Sequence, residues 1–147
     1  MSQSARLVDF LPYLLSVTSN AVSTRIAEKY RVRFGLKIAE WRVLAVLGDA
    51  GPKTQRELTA ATLMDKVAVN RACKSMVDRG LIVRQPNAED GRSHRLEMTG
   101  DGAAIYAEVM PLAKQMEAGI FADFSAAERE ELKQMLRRIS DRATALD

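Results

Sequence analysis

Within residues 54–99 the hydrophobic pattern changes period, and that change restricts the fold more than any other feature of the chain. Up to Gly80 the apolar residues recur at helical spacing; beyond it two short segments, 81–85 and 94–98, alternate as a half-buried strand does. Thr54-Gln55-Arg56-Glu57 is a Thr-x-x-Glu capping box and predicts one helix start. A second helix is predicted from about Asp65 to Arg79, stopping at Gly80, which can take the left-handed conformation a helix end often requires. Residues 86–92 (Pro-Asn-Ala-Glu-Asp-Gly-Arg) supply turn chemistry and charge. Helix, turn, helix and charged hairpin together describe a winged helix-turn-helix, and double-stranded DNA is the partner that suits it.

Charge distribution supports that partner better than total charge does. The chain carries a net +3. Residues 53–95 hold nine Lys/Arg against five acids, and the remainder holds thirteen against fourteen. The whole basic excess therefore belongs to the middle of the chain, which favours a local anionic partner. With 147 residues, 47% hydrophobic and only 5% aromatic, the expected core is aliphatic, as in helical proteins. Cys73 and His94 are the single Cys and His, which argues against a disulfide, a Cys- or His-based metal cage, or any cofactor. Cys73 reads as a small buried apolar residue rather than a redox switch, and His94 as an exposed wing residue. No paired nucleophile and base and no Gly-rich phosphate loop suggests an enzyme. The apolar stretch near the N-terminus is short, contains Pro12 and follows Asp9, unlike a signal peptide, and no run reaches membrane-spanning length. A cytoplasmic protein is expected.

Elsewhere the pattern is helical. A helix is predicted from Asp9 as N-cap to Gly35, with Leu11, Leu14, Leu15, Thr18, Val22 and Ile26 on its apolar face. Another is predicted over 38–47, with Ile38, Trp41, Leu44, Ala45 and Leu47 inward, before a break at 48–52. Beyond Gly100 and Gly102 a long helix carries Ile105, Val109, Leu112 and Met116, with Pro111 expected to bend it. Ser125 and Glu128 form a second capping box opening a helix that should bury Leu132, Met135, Leu136 and Ile139. The expected fold is mainly α with a small β-hairpin: one domain, 1–147, with a winged helix-turn-helix over about 36–99. Dimerisation helices are expected over about 9–35 and 101–147, because long apolar helices flanking a basic module suit a two-fold pair on successive turns of DNA.

On the second helix of the central stretch, Val69, Ala72, Cys73, Met76 and Val77 fall on one face and Lys66, Val67, Asn70, Arg71 and Lys74 on the other. A solvated polar face explains such a pattern by itself. Its contents favour more. Asn70 can pair with adenine and Arg71 with guanine, and Val67 can meet a thymine methyl. Lys66 and Lys74 suit phosphates, as do Thr54 and Gln55 at a helix N-terminus. Arg92, steadied by Asp90, suits a narrow minor groove or the backbone, and Arg84 and Arg95 could add phosphate contacts.

The runs Phe34-Gly35-Leu36 to Trp41-Arg42-Val43-Leu44, Leu63-Met64-Asp65-Lys66, Arg79-Gly80-Leu81-Ile82, Asp90-Gly91-Arg92-Ser93 and Leu96-Glu97-Met98-Thr99-x-x-Gly102 resemble the MarR family of transcription regulators. The resemblance implies a homodimer built by the first and last helices, acting as a repressor on a palindromic operator and released by a small phenolic or anionic effector or an oxidant. By position it implies base contacts at Val67, Ala68, Asn70 and Arg71 and a wing contact at Asp90 and Arg92. It also implies an effector pocket near Tyr13, Phe34 and Trp41, although core packing suits these three better. Hydroxyl residues are common in the family where this chain has Val67, Ala68 and Asn70, so operator preference does not carry over. The oxidant-sensing branch carries a Cys near the start of its first helix, and this chain has none there. Two other functions fit parts of the pattern: a winged-helix module binding an acidic protein, and a metal-sensing winged-helix repressor.

Overall fold

A computed structural model describes residues 6–146. After a short 3-10 turn, Leu7–Asp9, the chain forms α1 (Leu11–Phe34), α2 (Ile38–Ala50), β1 (Lys53–Thr54), α3 (Gln55–Thr62), α4 (Lys66–Asp78), β2 (Ile82–Asn87), β3 (Asp90–Met98), α5 (Gly100–Ile120) and α6 (Ala126–Ala145). Two compact units are divided between Ala113 and Lys114.

Local chemistry explains most element ends. α1 begins one residue later than expected: Phe10, not Asp9, is its N-cap, because Asp9 closes the preceding turn, and Pro12 falls in the first helical turn, where its missing N–H matters least. α1 ends at Gly35 with φ +63°. α2 runs to Ala50 instead of stopping at Gly48, since Gly51, with φ +82°, is the residue that turns the chain. Gly48 stays helical, and a Cβ there would overlap the Tyr106 ring. The first unit's core gathers Tyr30, Leu36, Val43, Leu44, Leu58, Val69, Cys73, Met76, Ile82, Leu96 and Val109, all essentially inaccessible. Each large apolar side chain buried this way contributes about 1.5–3 kcal/mol relative to exposure. Trp41 lies between Tyr30 (centroids 5.6 Å apart) and Tyr106 (6.0 Å), so it packs the core. Phe34 and Tyr13 are half-buried, the former under the Arg33 guanidinium.

The α1 face expected to be buried is mostly exposed within a single chain. Leu11, Leu14 and Leu15 are open, Val22 and Ile26 are half-buried, and the buried contacts come from Ala27 and Tyr30. In the second unit Ser125 and Glu128 form the expected capping box, and Phe121 meets Phe124 edge-on. The helix it opens does not bury Met135, Leu136 and Ile139, which remain 43–46% exposed. Only Leu132 is partly covered. Pro111 lies inside α5, which continues through it as one helix.

The sheet is three-stranded and antiparallel, in the order β1-β3-β2. β1, absent from the sequence-based expectation, pairs Lys53 with Leu96 and Thr54 with Arg95. It ties the start of α3 to the hairpin. That hairpin is longer than expected, with Pro86 inside β2 and Arg92 inside β3, leaving Ala88 and Glu89 as the connection.

Candidate nucleic-acid interface

α3 and α4 form the helix-turn-helix, and their ends are secured by their own side chains. Thr54 Oγ1 accepts from Glu57 N–H at 3.1 Å, and Glu57 accepts from Thr54 N–H at 3.0 Å. These bonds hold the Glu57 carboxyl below its usual range. They also place a carboxylate where a phosphate clamp was expected, so the Thr54 hydroxyl and N–H are already engaged. The connecting turn passes through Leu63, the one described non-glycine residue with positive φ (+52°). Asp65 then caps α4, accepting from Val67 N–H at 2.6 Å and Ala68 N–H at 3.4 Å.

The periodicity of α4 is realised as expected. Val69, Ala72, Cys73 and Met76 are buried and Val77 is half-buried. On the opposite side Lys66, Val67, Asn70, Arg71 and Lys74 are exposed, with Ala68 half-buried between them. Val67, an apolar residue, is left 56% exposed among cations. Gln55 Nε2 donates to Asn70 Oδ1 at 3.3 Å, bringing the start of α3 onto the exposed face of α4. Cys73 lies on the other side of α4, and burial pushes its thiol from 9.0 up to about 11. That is the chemistry of an inert thiol at neutral pH.

The wing gains its shape from a register shift. Asn87 faces Asp90 while Pro86 faces His94, so Gly91, Arg92 and Ser93 have no matching residues on β2 and bulge from the ladder. Asn87, which sequence reasoning passed over as a turn residue, is buried and closes the tip: it donates to Ser93 Oγ at 3.0 Å and accepts from Glu89 N–H at 3.2 Å. Arg92 is exposed on the bulge. The Asp90 side chain, expected to steady Arg92, lies outside the described residues. Between the start of α3 and the wing runs a cleft of about 540 Å³ whose lining includes four arginines, Arg56, Arg84, Arg92 and Arg95, and two acids, Glu57 and Glu89. Arg95 is only partly exposed and lies 3.9 Å from Glu89.

Two supports for this face were not visible in the pattern. The first is Glu40, 3% exposed. Its carboxylate accepts from Lys37 N–H at 2.8 Å and from Ser75 Oγ on α4 at 2.8 Å, and lies 3.9 Å from Arg79 Nη1. Arg79 in turn donates to the carbonyls of Phe34 (2.7 Å) and Gly35 (3.2 Å) at the end of α1. One buried carboxylate therefore joins α1, α2 and α4. The second is Thr99, whose hydroxyl donates to Gly80 O at 2.6 Å and accepts from Gly102 N–H at 3.1 Å. A Cβ at Gly102 would overlap the Leu81 carbonyl, so Thr99-x-x-Gly102 has a steric reason for its spacing. Among the described residues no group of three His, Cys, Asp or Glu could hold a metal ion, and no helix is long and apolar enough to cross a membrane.

Residues 34–93 match the MarR family model. The repressor NicR of Pseudomonas putida is 31% identical over 98 residues, a stretch that covers 67% of this chain and 62% of NicR. A MarR/EmrR family regulator from Acinetobacter sp. ADP1 superposes with a TM-score of 0.88 at 21% identity, covering 97% of this chain and all of that one. Bordetella bronchiseptica BpsR, whose DNA binding is regulated by 6-hydroxynicotinic acid, superposes at 0.83 with 24% identity over 95% of this chain and 99% of its own.

Proposed function

The chain belongs to the MarR family, and from that premise we propose that it is a sequence-specific regulator of transcription. It works as a homodimeric repressor on a palindromic operator in double-stranded DNA. One observation carries the proposal. The capped helix α4 buries Val69, Ala72, Cys73 and Met76 on one face and displays Lys66, Val67, Asn70, Arg71 and Lys74 on the other, while Arg92 stands exposed on the bulge of the wing. Arg71 and Asn70 have the donor and acceptor geometry of base readers, Val67 the apolar surface for a thymine methyl, and the lysines the point charges that suit phosphates. Arg92 reaches the flanking minor groove or backbone. The exposed apolar residues of α1 and α6 supply the dimer contact, and a two-fold pair places its two α4 helices about one helical turn of DNA apart. A small aromatic acid releases the operator. The regulation of BpsR by 6-hydroxynicotinic acid supports that ligand class.

Selection of bound duplexes from a random pool, followed by titration at several salt concentrations, tests this. A palindromic consensus and a linear, steep fall of log affinity with log salt are expected from counterion release. A shallow slope with no preference over random duplex would instead favour an acidic protein as the partner. Release of the selected duplex by hydroxylated aromatic acids then tests the effector class.

A further inference from the structure

Gln55 and Asn70 are fifteen residues apart, on different helices, and their amides meet: Gln55 Nε2 donates to Asn70 Oδ1 at 3.3 Å. A primary amide carries its donors and its acceptor at opposite ends of one planar group. A bond received at Oδ1 therefore fixes the rotation of the Asn70 amide and turns Nδ2 away from Gln55. Asn70 is exposed, between Lys66 and Lys74 on the same face of α4.

We propose that Gln55 is a specificity-determining positioning residue that acts through Asn70, locking its amide so that Nδ2 faces the major groove as a donor. The proposal rests on the DNA-binding role above. It replaces the simpler idea that Gln55 clamps a phosphate: the Glu57 carboxylate, engaged with Thr54 at the same helix end, would meet a phosphate there with like charge. A donor presented to the groove selects acceptor edges, namely N7 and O6 of guanine, N7 of adenine or O4 of thymine, and disfavours the N4 amino group of cytosine. Without Gln55 the amide can rotate by half a turn and offer either atom, so the position it contacts loses its discrimination.

Selection from a random duplex pool with wild type, Gln55→Ala, Asn70→Ala, the double variant and Gln55→Glu tests this. Gln55→Ala and Asn70→Ala should relax the same base-pair position, each by about fivefold or more, the lower end expected for one good base contact. The double variant should lose nothing further at that position. In Gln55→Glu the new carboxylate can only accept, so it should draw Nδ2 inward, present Oδ1, and shift the preference toward the amino groups of cytosine or adenine. A uniform loss on all duplexes for Gln55→Ala, or relaxation at a different position, would overturn the proposal while leaving DNA binding intact. A wild-type pool without enrichment would overturn the DNA-binding role and this proposal together.

Discussion

Arg71 and Lys74 lie about one turn apart on the same exposed strip of α4, and they should fail differently. Arg71→Ala is expected to cost about 1–3 kcal/mol of operator binding and to relax one base-pair position per half-site. Lys74→Ala should weaken operator and random duplex alike and reduce the salt slope; titrations on both duplexes separate the two outcomes. Cys73 makes a different residue-scale prediction. Its folded thiol titrates near 11 instead of 9.0, so the unfolded chain loses its proton first as pH rises. Stability from this group is complete below about pH 9 and is lost between 9 and 11. Urea midpoints measured across that window should fall in wild type and fall less in Cys73→Ala. At this scale the two faces of α4 were legible, because period 3.6 assigns them without knowledge of any partner. Glu40 and Asn87 were not. A buried carboxylate is stable only when hydrogen-bonded, and a partner of Glu40, Ser75, is 35 residues away on another helix.

Among the elements, the buried carboxylate fixes how α4 is carried. Glu40→Ala removes the acceptor for Lys37 N–H and Ser75 Oγ and leaves Arg79 without its nearby charge. Hydrogen bonds to charged groups contribute about 1.5–3 kcal/mol each, so the urea midpoint should drop by the equivalent of roughly 3 kcal/mol, with Glu40→Gln intermediate. Gly102→Ala should also destabilise the protein, because a Cβ there meets backbone and not a movable side-chain tip; thermal melting checks this. The hairpin shows where local rules mislead. Pro86 and Asn87 have turn chemistry, yet both belong to β2. β2 is an edge strand of the sheet, and an edge tolerates a proline whose missing N–H would have broken a central ladder. β1 escaped detection because two residues carry no period; only its pairing with Leu96 and Arg95 defines it. Asp9 was a chemically suitable cap whose place was taken by a preceding turn, an outcome that propensity alone does not settle.

For the whole molecule, the exposed apolar residues of α1 and of α6 are the main departure from what periodicity implied. Periodicity shows that a face is apolar but not whether the same chain or another one covers it. If a second copy covers these faces, sedimentation at micromolar concentration should give twice the 16.3-kDa chain mass. The double variant Leu136→Glu, Ile139→Glu should then sediment as a monomer and lose its preference for two spaced half-sites over one. The inaccessibility of Cys73 has a practical consequence at this scale. It is the only thiol in the chain, and it sits on the buried face of the helix proposed to read DNA. A thiol reagent can reach it only through transient opening of that helix, so the labelling rate under native conditions measures the opening equilibrium. Operator binds only the closed form, so it should slow labelling by the factor with which it stabilises that form. A releasing effector should restore the rate. The protein thus carries its own internal clock for occupancy, readable at a native cysteine with no residue introduced.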